Sequence, residues 1–132
     1  MNWMQWPSLI TWLTLILLVV VSFDVGRARA RYGVRAPATT GHEQFERVFR
    51  VQMNTLENAV AFLPALWLGA WYWSPVWASA CGAVWIVGRI WYARAYVRDP
   101  RSREGGYGVA AVAFVVLIGG AAVGWVRLLG HA

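Results

Sequence analysis

The sequence predicts an all-α integral membrane protein, a bundle of four transmembrane helices. Hydrophobic residues make up 59% of the chain and charged residues 14%, whereas soluble domains have about 45–50% and about 25%. The apolar residues form long runs, and a run of about 20 matches the hydrocarbon core of a bilayer. The charge comes from arginines that cluster where these runs end. These observations exclude an ordinary soluble domain, a disordered chain and a nucleic-acid-binding surface.

The first span covers residues 3–26 and is interrupted by few polar residues before Asp24. A cleaved signal peptide is the alternative, because the segment from Ala28 to Ala30 resembles a small-x-small cleavage site. However, no basic residue precedes the apolar run, and four arginines follow it. The pattern therefore favours a retained first helix.

Three further spans cover residues 45–73, 76–97 and 106–129. Ser74 and Pro75 predict a tight break between the second and third spans, and the charged stretch RDPRSREGG separates the third from the fourth. The spacing of Gly120 and Gly124 permits close helix contact. We interpret residues 1–132 as one domain.

Arginines predict the orientation of this bundle. The connections at residues 27–44 and 98–105 are rich in arginine, whereas the turn between the second and third spans contains none. The positive-inside rule places both basic connections in the cytoplasm. A bacterial inner membrane fits this arginine-only composition.

The second span contains more polar residues than a membrane helix normally tolerates. Ionisable groups near the bilayer centre cost about 2.5–3.5 kcal/mol each and are seldom retained without partners or a polar cavity. In FERVFRVQMNTLENAVAF, the side chains of Arg47, Arg50, Asn54 and Glu57 fall within roughly 80° of one helix face. Gln52 points the opposite way, and a second subunit would give it a neighbour.

The third span carries a matching stripe of Trp85, Arg89, Tyr92 and Tyr96. Glu57 and Arg89 lie at similar distances from the Ser74–Pro75 turn, so we predict an ion pair between them. These polar residues could simply join two helices. That alternative leaves Arg50, Gln52 and the tyrosines unmatched, and the excess of positive charge indicates an anionic ligand with carboxylates.

The stretches FERVFRVQMNTLENAVAFLPALW and CGAVWIVGRIWYARAYVRDPRSR resemble the MAPEG family, membrane-associated proteins in eicosanoid and glutathione metabolism. The spacing R-x-Q-x-N-x-x-E is the most specific part of the resemblance. The runs NTLE and WIVGR are most similar to the type-three microsomal glutathione transferases. The resemblance implies a homotrimer of four-helix subunits that binds glutathione between neighbouring subunits.

The resemblance also implies a set of ligand contacts. Arginines suit the two carboxylates of glutathione through charge-assisted hydrogen bonds, and a glutamate suits its ammonium group. The positions that match the glutathione-contacting residues of the family are Arg29, Arg50, Gln52, Asn54, Glu57, Arg89, Tyr92 and Tyr96.

Catalysis requires the glutathione thiolate, because only the thiolate attacks electrophiles. The resemblance assigns its stabilisation to Arg103, with Arg101 as the second candidate; both could instead be ordinary residues of a basic loop. The thiolate would conjugate a lipophilic electrophile or reduce an organic or lipid hydroperoxide. Tyr107, Phe114 and Trp125 of the fourth span offer an apolar wall for that substrate.

Other functions fit the sequence less well. Asn58 stands where the eicosanoid-synthesising members of the family have a tyrosine, which favours a broad detoxifying role. A non-catalytic lipid-binding scaffold of the same family is the main alternative, but it has no need for the polar stripe. No inverted repeat supports a transporter. Cys81 is assigned no role, and no Cys/His cluster predicts a metal site.

Overall fold

The computed structural model describes residues 2–131, which fold into four long helices. They are α1 (Gln5–Tyr32), α2 (Glu43–Tyr72), α3 (Pro75–Arg98) and α4 (Glu104–Gly130), and a short 3₁₀ turn at Pro100–Arg103 leads into α4. Residues 2–131 contain no β-strand. The predicted all-α, four-helix architecture is therefore confirmed.

Local sequence signals account for the helix ends. Gly33 ends α1 with a left-handed φ of 68°, a conformation that glycine adopts without steric cost. Ser74 caps α3 by accepting a hydrogen bond from the backbone N–H of Trp77, and Pro75 occupies the first turn of that helix. The Ser74–Pro75 break predicted from the sequence is thus an N-cap.

The helices pack around a core of large apolar side chains. The rings of Phe62 on α2 and Trp85 on α3 stack at a centroid distance of 3.9 Å. Leu66 on α2 and Leu117 on α4 are fully buried in the same cluster. The sequence placed Trp85 in the polar stripe of α3, but in the structure its ring belongs to the hydrophobic core.

Two of the helical segments are long and apolar enough to cross a membrane, judged by length and composition alone. They are Gln5–Tyr32, with a mean hydropathy of 2.3, and Pro100–Gly130, with a mean hydropathy of 2.4. The other two helices, α2 and α3, carry the polar side chains discussed above. The polar stripe therefore lies on the two helices that do not meet this criterion.

Glycines allow α4 to approach its neighbours closely. A side chain at Gly120 would meet the ring of Trp73, and one at Gly124 would meet the backbone of Tyr72. The GxxxG spacing predicted to permit close helix contact therefore seats α4 against the end of α2 within the same chain.

We expect Gly88→Ala to destabilise the bundle by about 1–3 kcal/mol, the usual cost of overpacking. A Cβ at Gly88 would lie 2.7 Å from the backbone nitrogen of Ala110, so α3 and α4 would have to separate. Thermal unfolding in detergent, followed by circular dichroism, measures the effect. Gly119→Ala is the matched control, because nothing lies within 4 Å of its Cβ position. Equal unfolding temperatures for both variants would contradict the expectation.

Candidate functional site

A buried arginine on α3 lies at the centre of the polar region. The side chain of Arg89 is only 1% exposed. Its Nη2 donates hydrogen bonds to Oδ1 of Asn54 at 2.8 Å and to Oγ1 of Thr55 at 3.0 Å. The ring of Tyr92 lies 4.4 Å from the guanidinium carbon. Charge-assisted hydrogen bonds therefore join α3 to the middle of α2.

The predicted ion pair between Glu57 and Arg89 is wrong. Glu57 is exposed, and the guanidinium of Arg89 contacts Asn54 and Thr55 instead. Positions 55 and 57 differ by roughly 200° around a helix, so a side chain that inserts at Thr55 does not reach Glu57. Similar distances of Glu57 and Arg89 from the Ser74–Pro75 turn were therefore not enough to predict an ion pair.

Arg89 is only partly satisfied by the chain. Its Nε and Nη1 are buried and have no hydrogen-bond partner within residues 2–131. An unsatisfied buried polar group costs about 1–3 kcal/mol. A buried charged group that is kept partly unsatisfied at such a cost is a candidate for binding a ligand.

The polar stripe of α2 leaves unpaired groups on one face of that helix. Arg50 and Glu57 are exposed, and within residues 2–131 neither side chain has an ion-pair or hydrogen-bond partner. Asn54 lies between them, and its Oδ1 accepts from Arg89 at 2.8 Å and from Nδ2 of Asn58 at 3.4 Å. The Nδ2 of Asn54 is thereby left as a donor, because the described residues offer it no acceptor.

Among the stripe residues of α2, Arg47 is the one whose charged group has partners within residues 2–131. Its Nη1 donates to the backbone carbonyl oxygens of Val97 at 3.3 Å and Arg98 at 3.1 Å, and its Nη2 pairs with Glu43. These contacts join the start of α2 to the end of α3. Arg47 therefore stabilises this end of the bundle.

Two tyrosines extend the polar region toward the basic end of the bundle, the end that carries the arginine-rich connections between α1 and α2 and between α3 and α4. The rings of Tyr92 and Tyr96 stack at 5.6 Å, and the guanidinium carbon of Arg103 lies 6.0 Å from the ring of Tyr96. Arg101 is exposed on the same 3₁₀ turn, and its backbone N–H donates to Oδ1 of Asp99 at 3.0 Å, but within residues 2–131 its side chain has no hydrogen-bond or ion-pair partner. Of the two candidate arginines, Arg103 thus lies beside the tyrosine pair.

A cavity of about 400 Å³ opens at this end of the bundle. Arg50 and Tyr96 line it, together with Glu43, Glu46 and the threonines of the connection before α2. Its walls therefore contain both cationic and anionic side chains, as expected of a site for a ligand that carries both charges.

Two predicted contacts lie elsewhere in the chain. Arg29 donates through Nη1 to the carbonyl oxygen of Ala38 at 2.7 Å, and its guanidinium lies 4.8 Å from the ring of Phe45. Gln52 donates through Nε2 to Oγ of Ser22 at 2.9 Å. The expectation that Gln52 needs a second subunit for a neighbour was wrong, because α1 supplies one.

The predicted apolar wall is divided between two places. Phe114 and Trp125 line a groove of about 500 Å³ between α2 and α4, which also contains Pro64. Tyr107 lies instead 6.4 Å from the ring of Tyr92, beside the polar region. The groove is a candidate for the lipophilic substrate.

Thr55 is a site residue that sequence reasoning missed. It is 1% exposed and fixes Arg89 together with Asn54. Its position next to Asn54, on the side of α2 that faces the core, could have indicated this role. A lone helical threonine usually bonds to its own backbone, however, so the signal was weak.

These observations define a class of protein. It is a bundle of membrane helices with a site at the end that carries the arginine-rich connections, and several charged side chains of this site lack hydrogen-bond or ion-pair partners within residues 2–131. The chain belongs to the MAPEG family, whose pattern matches residues 8–123. Uncharacterized protein sll1147 of Synechocystis sp. is 51% identical over 116 residues, which cover 88% of this chain and 85% of that protein.

Two other relatives have names that state a reaction. Human microsomal glutathione S-transferase 2 is 38% identical over 100 residues, covering 74% of this chain and 68% of that protein. Bovine leukotriene C4 synthase is 34% identical over 122 residues, covering 92% and 79%. The family resemblance inferred from the sequence motifs is confirmed, and the family is one of membrane helical bundles.

Proposed function

We propose that this protein is a membrane-bound glutathione transferase that binds glutathione along the polar stripe of α2. The observation that carries this proposal is the unpaired cation and anion of Arg50 and Glu57 on one exposed face, with the amide of Asn54 between them. Seven helical residues span about 10 Å, which is about the length of an extended tripeptide. A ligand with charges of both signs at its ends fits this spacing.

The chemistry of each side chain supports a role in this binding. The guanidinium of Arg50 suits a carboxylate of glutathione, and the carboxylate of Glu57 suits its ammonium group. Arg89 holds Oδ1 of Asn54, so that Nδ2 is available to donate to the ligand. Tyr92 and Tyr96 continue the wall toward Arg103, which we propose as the group that stabilises the thiolate.

We propose that the complete site is formed between the subunits of a homotrimer. Arg29 and Gln52 lie on other faces of the chain than the stripe, so in one copy they do not join Arg50 and Glu57. A neighbouring copy would bring them to the same ligand and cover the exposed charges on α2. Native mass spectrometry in detergent tests this, with three copies per particle as the expected result.

The bound thiolate would attack an electrophilic carbon of a lipophilic substrate whose apolar part lies in the groove lined by Phe114 and Trp125. A carbon–sulfur bond forms, and a leaving group such as halide departs. With an organic or lipid hydroperoxide, two glutathione molecules would give the disulfide, the alcohol and water. Asn58 in place of a tyrosine supports broad detoxification over synthesis of a leukotriene-type conjugate. We place the protein in a bacterial inner membrane with its basic connections in the cytoplasm.

The deciding experiment measures turnover by the purified protein in detergent. We expect glutathione-dependent conjugation of an electrophilic aromatic halide, followed by absorbance of the product, and saturation with glutathione. A parallel assay with an organic hydroperoxide separates conjugation from peroxide reduction. A lipid-binding scaffold would show neither turnover nor glutathione binding by calorimetry, and that result would overturn the proposal.

A further inference from the structure

A second crevice lies at the basic end of the bundle, between α1 and α3, with α2 as its floor. Its volume is about 530 Å³, and its floor includes the buried residues Val21 and Val51. Its rim carries four exposed arginines, two from α1 and two from α3, which are Arg27, Arg31, Arg94 and Arg98. An apolar floor below a cationic rim is the pattern of an amphiphile site.

The four arginines line the crevice as two pairs, one on each helix. Within each pair the residues are four apart on one helix, so their side chains project on the same side of that helix. Asp24 is the one acidic residue of the crevice, and its Oδ1 lies 3.9 Å from Nη2 of Arg27. Within residues 2–131, the guanidinium groups of Arg94 and Arg98 have no ion-pair or hydrogen-bond partner. The rim therefore retains a large positive excess.

This crevice is separate from the proposed glutathione site. On α3, Arg94 and Arg98 project roughly 160° away from Tyr92 and Tyr96 around the helix axis. On α2, the crevice residues Gln44, Val48 and Val51 are turned by roughly 120° from the stripe of Arg50, Asn54 and Glu57. A ligand in the crevice would thus contact different faces of both helices.

We propose that this crevice binds the headgroup of an anionic glycerophospholipid, with its phosphate between the arginine pairs. The crevice lies where the apolar parts of α1 and α3 give way to charged residues, the level of lipid phosphates in a bilayer. Arginine binds phosphate through forked, charge-assisted hydrogen bonds, and basic pockets between membrane helices suit anionic headgroups. The valines of the floor continue the site toward the acyl chains.

The experiment uses the full chain, purified in detergent and depleted of lipid. Phosphatidylglycerol and phosphatidylcholine with identical acyl chains are added, and native mass spectrometry counts the lipids that remain bound. We expect selective retention of phosphatidylglycerol. Each arginine near a lipid surface contributes about 1 kcal/mol, so Arg94→Gln with Arg98→Gln should weaken retention about 30-fold.

Arg35→Gln provides the matched control, because Arg35 is an exposed arginine near the same end that does not line the crevice. It should retain phosphatidylglycerol like the wild type. Inorganic phosphate and glutathione are added separately, and neither should displace the lipid. Equal retention of the two lipids, unchanged retention by the double variant, displacement by free phosphate, or a crevice closed by a second copy would each overturn the proposal. None of these results depends on glutathione turnover.

Discussion

Replacing Arg103 by alanine is expected to lower glutathione conjugation at pH 7 by about 10- to 30-fold at saturating glutathione. An unperturbed thiol has a pKa of about 8.5, and a cation within about 4–6 Å lowers a neighbouring acid's pKa by about 1–3 units. Arg103 is exposed, so we expect the lower part of that range. Loss of the guanidinium would raise the pKa of bound glutathione to about 8.5 and leave a thiolate fraction of about 3% at pH 7, which limits the loss to about 30-fold.

The conjugation rate measured as a function of pH tests this expectation. Because the thiolate is the reactive form, the rate of the variant should rise with pH and approach that of the wild type above the unperturbed pKa of the thiol. Ultraviolet absorbance of the bound thiolate, titrated without electrophile, reports the same shift independently of turnover.

Arg101→Ala is the matched control for Arg103→Ala. Both residues lie on the 3₁₀ turn and are exposed, but only Arg103 lies against the ring of Tyr96. We expect the Arg101 variant to keep the wild-type pH profile. The opposite pattern would assign thiolate stabilisation to Arg101, and an unchanged profile in both variants would remove this turn from the mechanism.

Replacing Glu57 by glutamine is expected to weaken glutathione binding by about 10- to 100-fold. Hydrogen bonds to charged groups contribute about 1.5–3 kcal/mol, and the proposed partner of this carboxylate is the ammonium group of the ligand. Because Glu57 is exposed and unpaired within residues 2–131, its replacement breaks no internal hydrogen bond or ion pair. The unfolding temperature should therefore stay close to that of the wild type.

A ligand analogue makes the Glu57 experiment specific. In glutaryl-cysteinyl-glycine, the ammonium group of glutathione is absent, while both carboxylates and the thiol are retained. Calorimetry should show that Glu57→Gln weakens binding of glutathione strongly and binding of the analogue little. If both ligands lose the same affinity, Glu57 does not contact the ammonium group. Glu104→Gln, an exposed glutamate at the start of α4, serves as the control variant.

The polar stripe of α2 shows what helix periodicity alone can predict. Spacing along α2 predicted that Arg50, Asn54 and Glu57 share a face, and the structure leaves the two charged residues exposed there. Periodicity also indicated that Gln52 points elsewhere. It did not identify Ser22 as its partner, because the rotation of α1 against α2 depends on packing across the whole contact.

The wrong prediction of a Glu57–Arg89 ion pair shows why equal depth along the bundle does not establish a contact. Equal distance from a turn constrains height along the bundle, but it does not constrain the rotation of each helix about its axis. That rotation is set by close contacts such as the stacking of Phe62 on Trp85 and the approach of Gly88 to Ala110. With α3 held in this way, Arg89 inserts at Asn54 and Thr55.

By itself, the sequence determined the helical class, the number of helices, their breaks and the family. Hydrophobic run length, caps and local motifs act within a few turns of the chain, so they can be recognised without a fold. Only the tertiary structure decided that Arg89 is buried with two unsatisfied nitrogens and that Arg103, rather than Arg101, lies beside Tyr96. It also separated the arginine-rimmed crevice from the stripe. These features depend on how side chains from different helices interlock, and that arrangement is a property of the packed bundle as a whole.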